Sequence, residues 1–436
     1  MLESSPKNFR INNAEQFKES VSEPSPTNLY LTFGKTEAWP VENSPPLANT
    51  TPSAIYDVWR NMIGGKKITG NDVRHVIPRV NWTANTVYRA YDNLSENTDC
   101  YVMNSDWSVY KCISNNNGMK SNTQPTSIST NDDFVAGDGY IWKYLYTVSD
   151  FEKLKFSTSD YIPVKTLEND DGSLQWQVQN NAISGAIHSI VLLNGGSNYS
   201  NSSNIVVTIT GDGTFATATA TINTVSNTVN SISVLNKGSG YTKAVVTITG
   251  GGGINAAGRA IISPPGGHGK NILYELGGTN VMINGKLKGS ENGAFPTVND
   301  YRQVSLIADP RLRTSSNTYY SNSTFLQTTN ITTVGSGDYF ENEIVFQGGT
   351  LATSTFRGTV LSWDGANSAL YLINTEGTPN GSRIINGANS ATARFVTSFE
   401  LPTLQSYSGK LLYTDNIVAV NRAPDQAEEY KIILKF

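Results

Sequence analysis

Along most of this chain apolar and polar residues alternate with a period of two, and only short stretches carry a helical period. The clearest alternation is Trp107-Ser108-Val109-Tyr110-Lys111-Cys112-Ile113, which reads as a half-buried strand. Residues 29–33 and 140–147 also read as strands, and 114–133 as a long Asn/Ser/Thr-rich loop. The best helix is predicted over 52–63. Thr51 can cap it, Pro52 suits its first position, and Gly64 suits a left-handed C′ position. Ile55, Val58, Trp59, Met62 and Ile63 then share one core-facing stripe. A shorter helix is expected over 13–21, with Ala14, Phe17 and Val21 on one face, followed by a Pro-containing linker over 22–28.

The alternating segments repeat. Ser189-Ile190-Val191-Leu192 recurs as Ser231-Ile232-Ser233-Val234, and Gly196-Ser197-Asn198-Tyr199 as Gly238-Ser239-Gly240-Tyr241. Val206-Val207-Thr208-Ile209-Thr210-Gly211 recurs as Val245-Val246-Thr247-Ile248-Thr249-Gly250. Two copies are too few for a solenoid, so the pair is expected to close into a small sandwich or barrel. The small residues of 216–220 should line one face and the hydroxyls the other. A second β segment over 331–397 contains the half-repeats Ile344-Val345-Phe346-Gln347-Gly348 and Ile384-Ile385-Asn386-Gly387. Between them, a turn at Asp364-Gly365 joins two further strand candidates.

Composition narrows the class. Charged residues are 16% of the 436, against about 25% in average globular proteins, and Asn, Ser, Thr and Gly take their place. A surface of neutral hydrogen-bonding groups suits permanent assembly, because burying an unpaired charge is costly. Net charge is −4 with no Lys/Arg cluster, which argues against nucleic acid as a partner. Cys100 and Cys112, the two cysteines present, exclude a disulfide-stapled scaffold and are expected to be free, buried thiols. No apolar run reaches the roughly 18 residues of a membrane span, and the first residues lack a secretory pattern, so a membrane is not expected as a partner.

Little points to catalysis. His75, His188 and His268 lack ligand-type neighbours at helical or turn spacing, so no metal is expected. Gly64-Gly65-Lys66-Lys67 lacks the other elements of a phosphate loop, and no helix pattern follows the glycines at 250–253. The acidic pairs Asp132-Asp133, Asp170-Asp171 and Glu428-Glu429 lie in polar, loop-like stretches where solvation is the default. A calcium site at Asp132, Asp133 and Asp138 lacks the regular alternate-ligand loop. The expectation is a non-enzyme without cofactor. Aromatics are plentiful, and most sit in strand alternation as core or subunit-interface anchors. Tyr199 and Tyr241 follow glycine turns and are the expected surface aromatics.

Two blocks are the most distinctive: Tyr30-Leu31-Thr32-Phe33-Gly34-Lys35-Thr36-Glu37-Ala38-Trp39-Pro40 and Gly137-Asp138-Gly139-Tyr140-Ile141-Trp142-Lys143-Tyr144-Leu145. With Asp57-Val58-Trp59, Val76-Ile77-Pro78-Arg79 before Trp82, Tyr301-Arg302-Gln303-Val304-Ser305-Leu306-Ile307, and Asp425-Gln426-Ala427-Glu428-Glu429, they resemble the dimeric baseplate wedge subunit of T-even-type contractile-tailed phages. The resemblance implies a mainly β, multidomain structural protein that dimerises, joins other wedge proteins and tail-fibre attachment proteins, and resides in the virion after assembly in the host cytoplasm. It supplies no catalytic residues. It makes Tyr30, Phe33, Gly34, Trp39, Trp59, Pro78, Arg79, Trp82, Gly137, Asp138, Gly139, Tyr140, Trp142, Arg302, Gln303, Asp425 and Gln426 candidate scaffold or interface positions.

The expected organisation is a polar arm (1–27), a scaffold in three parts (28–182, 264–330 and 401–436), and inserted β modules at 183–263 and 331–400. The competing reading is a tail-fibre or receptor-binding module that recognises cell-surface glycan through the inserted repeats, with Tyr199 and Tyr241 exposed.

Overall fold

The structure, a computed structural model, describes residues 6–200, 204–288, 300–420 and 426–436. The fold is mainly β, in several sheets with a few short helices. It forms two compact units. One comprises residues 1–16, 74–282 and 433–436, and the other 17–73 and 283–432.

Helix α1 (Lys7–Ser20) starts earlier than expected, because Ile11 stands one turn before Ala14 and both are fully buried. Strand β1 (Leu29–Gly34) is buried at every position. Helix α2 (Pro52–Asn61) begins as predicted, with the Thr51 hydroxyl accepting the Ala54 N–H at 3.4 Å. Its end is a correction. Met62 turns extended and opens β2 (Met62–Ile68), so Gly64 and Gly65 lie in a strand and not in a helix cap. Pairing with β1 displaces the last helical turn, with Phe33 opposite Gly64 and Gly34 opposite Met62. Gly65 fits there because a Cβ would fall 2.6 Å from the Phe325 ring.

In the first unit follow β3 (Val73–Pro78), β4 (Tyr101–Met103), β5 (Ser108–Ser114), β6 (Phe134–Val135), β7 (Ile141–Thr147) and β8 (Tyr161–Pro163). Strands β4-β5-β7-β6 form one antiparallel sheet. Its alternation is real, but β5 is not half-buried. Val109 packs with Met103, Leu145 and Ile162 on one face, while Tyr110 and Cys112 pack with Val102, Tyr140 and Trp142 on the other. Lys111 lies among buried residues as well, so the polar positions of the pattern meet partners rather than water. Cys100 and Cys112 are both buried and unbonded to each other. Two short helices, α3 (Asp150–Phe156) and α4 (Leu174–Asn180), carry serine N-caps at Ser149 and Ser173.

The repeat builds a six-stranded ring from β9 (Ile187–Ser197), β10 (Ile205–Gly211), β11 (Thr217–Asn223), β12 (Thr228–Asn236), β13 (Ala244–Gly250) and β14 (Ile254–Ile262). The order is β12-β11-β10-β13-β14-β9. The outer strands approach each other, with Ile187 N–H bonded to Lys237 O at 2.8 Å and Tyr199 N–H to Asn227 O at 2.9 Å. The copies are related by a local twofold axis, since the equivalent Thr208 and Thr247 stand directly opposite each other. Alanine faces inward and threonine outward along β11, as the pattern predicted: Ala220 is buried, and Thr217, Thr219 and Thr221 are exposed.

Tyr199 and Tyr241 correct the expectation of surface aromatics, being only 1% and 4% exposed. Each fills an apolar cluster and lies on a glycine of the other copy. A Cβ on Gly253 would sit 2.3 Å from the Tyr199 ring, and one on Gly213 would sit 2.4 Å from the Tyr241 ring. The glycine that reads as a solvent turn is the floor under a buried ring.

After α5 (Ile272–Glu275) and β15 (Asn280–Lys288) come β16 (Tyr301–Ala308), β17 (Arg311–Leu312), β18 (Ser315–Tyr319) and β19 (Thr324–Leu326) in chain order. A closed barrel then forms in the second unit from β20 (Thr329–Val334), β21 (Ile344–Gln347), β22 (Phe356–Asp364), β23 (Ala369–Gly377), β24 (Ile384–Gly387) and β25 (Ala393–Glu400). The half-repeats pair across its own local twofold axis, with Phe346 opposite Asn386. The chain ends in β26 (Lys410–Val420) and β27 (Ala427–Lys435).

Both rings have one topology. Take three strands per copy and start from the first strand of the second copy. The circuit is then third and second of copy one, second and third of copy two, and first of copy one. In both, the chain enters and leaves on adjacent strands, as the pairs Ile187–Ile262 and Asn330–Glu400 show. Neighbouring ends let a module be added to a loop without moving the flanking strands.

If the twofold relation governs packing in the first ring, Gly213→Ala and Gly253→Ala should each cost about 1–3 kcal/mol by forcing a buried ring aside. Denaturant unfolding should show similar losses for the two, and a loss confined to one would contradict the equivalence.

Candidate functional site

In the second unit the distinctive blocks converge on one sheet, ordered β19-β2-β1-β16-β26. Tyr30 pairs with Ile307, Phe33 with Val304 and Gly34 with Gln303. Tyr30 is buried, and its hydroxyl donates to Tyr320 O at 3.1 Å and Asn322 O at 2.8 Å. Phe33 packs against Tyr301, with ring centroids 5.2 Å apart. Gly34 is required by close approach, because a Cβ would lie 2.2 Å from Asn61 O. Trp59 is buried beneath Tyr407, and Tyr407 meets Tyr56 edge-on at 4.9 Å.

Beyond Gly34 the chain becomes a loop held by polar contacts. Arg302, 7% exposed, donates to Glu42 Oε1 and to the Thr36 carbonyl, both at 2.5 Å. Trp39 N–H donates to Glu42 Oε2 at 3.0 Å, and the Trp39 indole donates to Ile417 O at 2.9 Å. Gln303 reaches Asn416 at 2.8 Å. A cleft of about 350 Å³ opens here, with Lys35, Trp39, Asp57, Gln303 and Asn416 among its lining. Around this unit's surface, Leu47 is 95% exposed and Val41, Tyr56, Tyr407 and Val418 are also exposed. Gln426 is half-buried, and Asp425 lies outside the described residues.

In the first unit the other blocks also serve as frame. Gly139 has φ +81°, and a Cβ there would press on the Asn116 side chain. Gly137 has ordinary room. Asp138 accepts N–H groups of Asn122 (2.7 Å), Thr123 (2.8 Å) and Tyr140 (3.1 Å) and the Ser121 hydroxyl (2.9 Å). Desolvation opposes its ionisation, but these bonds outweigh it and hold its pKa below the usual value. Tyr140 and Trp142 stack at 5.4 Å and are wholly buried. The Trp82 indole bonds Ser121 at 3.1 Å. Arg79, next to Pro78, lies over the Trp107 ring at 4.6 Å and bonds Asn81 and Thr158 O.

A buried polar network in the first unit is the feature that sequence spacing does not reveal. Glu275 Oε1 takes Lys111 Nζ at 2.6 Å and His268 Nδ1 at 2.5 Å, while Oε2 takes Gly269 N–H at 2.7 Å. His268 meets His188 edge-on at 4.8 Å and Tyr91 at 4.6 Å. His188 Nδ1 lies 2.6 Å from Asp133, which also pairs with Lys237 at 3.1 Å. Asp133 thus serves ion pairs and Asp138 a turn, so the two do not form a calcium loop. Among the described residues, no three His, Cys, Asp or Glu groups are arranged to hold a metal. Burial lowers the His268 pKa to about 4, against the opposing pull of Glu275, so the ring is neutral near pH 7. Among the described residues, no helix is long and apolar enough to cross a membrane.

Comparison with known proteins places this frame in context. A family model described as "Bacteriophage T4, Gp8" matches residues 5–123, which include the Tyr30–Trp39, Trp59, Pro78-Arg79 and Trp82 positions. The chain is also similar to "Baseplate wedge protein gp8" of Enterobacteria phage T4, with 25% identity over 195 residues. That alignment spans 36% of this chain and 58% of the phage T4 protein, so less than two thirds of that relative is covered.

Two outcomes follow from the polar contacts. Arg302→Gln should destabilise the second unit by roughly 3 kcal/mol, because it leaves a buried network unpaired, and thermal unfolding would read the loss. The second concerns pH. His268 has a folded pKa of about 4 and an ordinary unfolded value near 6.5, so only the unfolded state takes up its proton between them. Stability should therefore fall by about 2–3 kcal/mol as pH drops from 6.5 to 4.5. Below 4.5, Glu275 and Asp133, both held under ordinary carboxylate values, should add to the loss. Denaturation midpoints across this range, compared with His268→Asn, would test it: a slope unchanged in the variant would remove the histidine from the account.

Proposed function

We propose that this chain is a non-enzymatic structural subunit of a contractile-phage baseplate wedge, located in the virion tail. In this reading it dimerises, joins neighbouring wedge proteins, and belongs to the assembly whose rearrangement triggers sheath contraction. The observation that carries it is the match of residues 5–123 to the baseplate family together with the role of those residues here. They supply β1, β2 and the Arg302-clamped loop, which belong to the hydrogen-bonded frame of the second unit.

Physical features support the same reading. Low charge and a surface with single exposed apolar side chains suit large, permanent interfaces. The two rings of identical topology, 183–263 and 331–400, are read as modules inserted into loops of the scaffold. Neighbouring ends make such insertion cheap in conformational terms. The glycan-binding alternative loses its residues, because Tyr199 and Tyr241 are the plugs of a core.

Copy number decides between assemblies. A dimer in each wedge of a sixfold baseplate predicts about twelve copies per tail. Quantitative mass spectrometry of purified virions against the sheath subunit should find that number. A value near three, or absence from virions, would overturn the wedge assignment.

A further inference from the structure

The first unit contains a cavity of about 400 Å³ that none of the framework interactions fills. Its polar lining is lopsided. Asn271 Oδ1 is engaged by Tyr274 N–H and the Thr166 hydroxyl, and Asn93 Oδ1 by Ile262 N–H. Both amides are thus left with NH2 groups to offer. The Ser95 hydroxyl oxygen already accepts from Asn97 N–H. The hydroxyls of Tyr91 and Tyr274 donate to Ile262 O and Glu15. Asn8 and Asn97, also in the lining, each add an amide oxygen as well as an NH2 group, so donors outnumber acceptors.

The charge balance points the same way. Lys7 and Lys111 both line the cavity, with Glu275 the acidic residue of the lining. Both oxygens of Glu275 are occupied by Lys111, His268 and Gly269. No ion pair is formed by Lys7 among the described residues. Its amine is half-withdrawn from water, and burial followed by repulsion from Lys111 lowers its pKa against the smaller opposing pulls of Glu96, Cys100 and Glu275. A pocket with one ammonium that makes no ion pair among the described residues, and with several free N–H donors, is complementary to an anion. Pro264, Pro265 and Tyr274 give it an apolar rim that a peptide stem can cover.

We propose that this cavity receives a carboxylate carried by an acidic segment of a neighbouring protein, with the anion between Lys7 and the amides of Asn93 and Asn271. Charge-assisted bonds to a carboxylate are about twice as strong as neutral ones, so even a short segment gains orientation as well as affinity. A protein segment is favoured as the source because the assembly reading above supplies neighbours, and only that choice of source rests on it.

The test reads the Lys7 amine directly. The intact chain is acetylated with limiting N-hydroxysuccinimidyl acetate, and modification is followed by peptide mass spectrometry. The probes are acetyl-Asp-Glu-Glu-amide and its neutral counterpart acetyl-Asn-Gln-Gln-amide. At millimolar acidic peptide, Lys7 acetylation should slow about threefold or more, while exposed Lys120 is unaffected and the neutral peptide does nothing. No slowing, or equal slowing by both peptides, would overturn the anion site. Purified tails form a second arm, in which Lys7 should be protected relative to the isolated chain. Lys7 as reactive in tails as in the free chain would overturn the protein source, whereas absence of the chain from tails would count against the wedge assignment and leave the first arm standing.

Discussion

The structure of the second unit depends on one pairing across a long sequence distance. Strand β1 is buried at every position and lies between β2 and β16, and its Thr32 meets Ser305, 273 positions away. Closing so long a loop costs entropy, though the cost grows only logarithmically with length. The folded ring at 183–263 reduces the effective length further, because its ends sit on adjacent strands. Gly34 and Gly65 belong to this pairing. They let Asn61 and Phe325 approach a strand that side chains would push away.

The two rings solve a different problem with little charge. An open sheet of neutral, threonine-rich strands would present long edges that invite pairing with other chains. Wrapping two related copies about a local twofold axis brings the outer strands together, closing the second ring and nearly closing the first. The interior of the first ring is filled by isoleucine, valine and alanine side chains in two clusters, each holding one of the two tyrosines. Surfaces freed from edge pairing can then be uncharged and still specific. That is the property a subunit of a large, permanent assembly needs.

A few polar and charged groups are shielded from water and meet one another. Lys111, Glu275, His268, His188 and Asp133 form a buried chain in the first unit, and Arg302 with Glu42 fixes a loop in the second. Replacing one member of such a network costs more than the pair contributes, because the other is left unpaired in a poor solvent. These contacts therefore specify one arrangement of loops that carry few hydrophobic anchors. In the same first unit Lys7 lines a cavity and makes no ion pair among the described residues, which sets it apart from the satisfied ion pairs.

Much of the local structure was legible in the chain. The Thr51-Pro52 helix start, the strand at 29–33, the period-two alternation of 107–113 and the repeat each followed from residue type and spacing, which act over a few positions. What tertiary structure alone decided is what lies beyond that range. It turned 62–65 from helix end into strand, because pairing with β1 outweighed the capping preference of glycine. It buried both faces of β5, and it made Tyr199 and Tyr241 core residues by laying each ring over a glycine of the other copy. It also gathered Asp133, His188, His268 and Glu275 into one network. Sequence determines the period and the turns because these are local sterics and solvation. Which face is covered, and which distant charges meet, is fixed only when the sheets close.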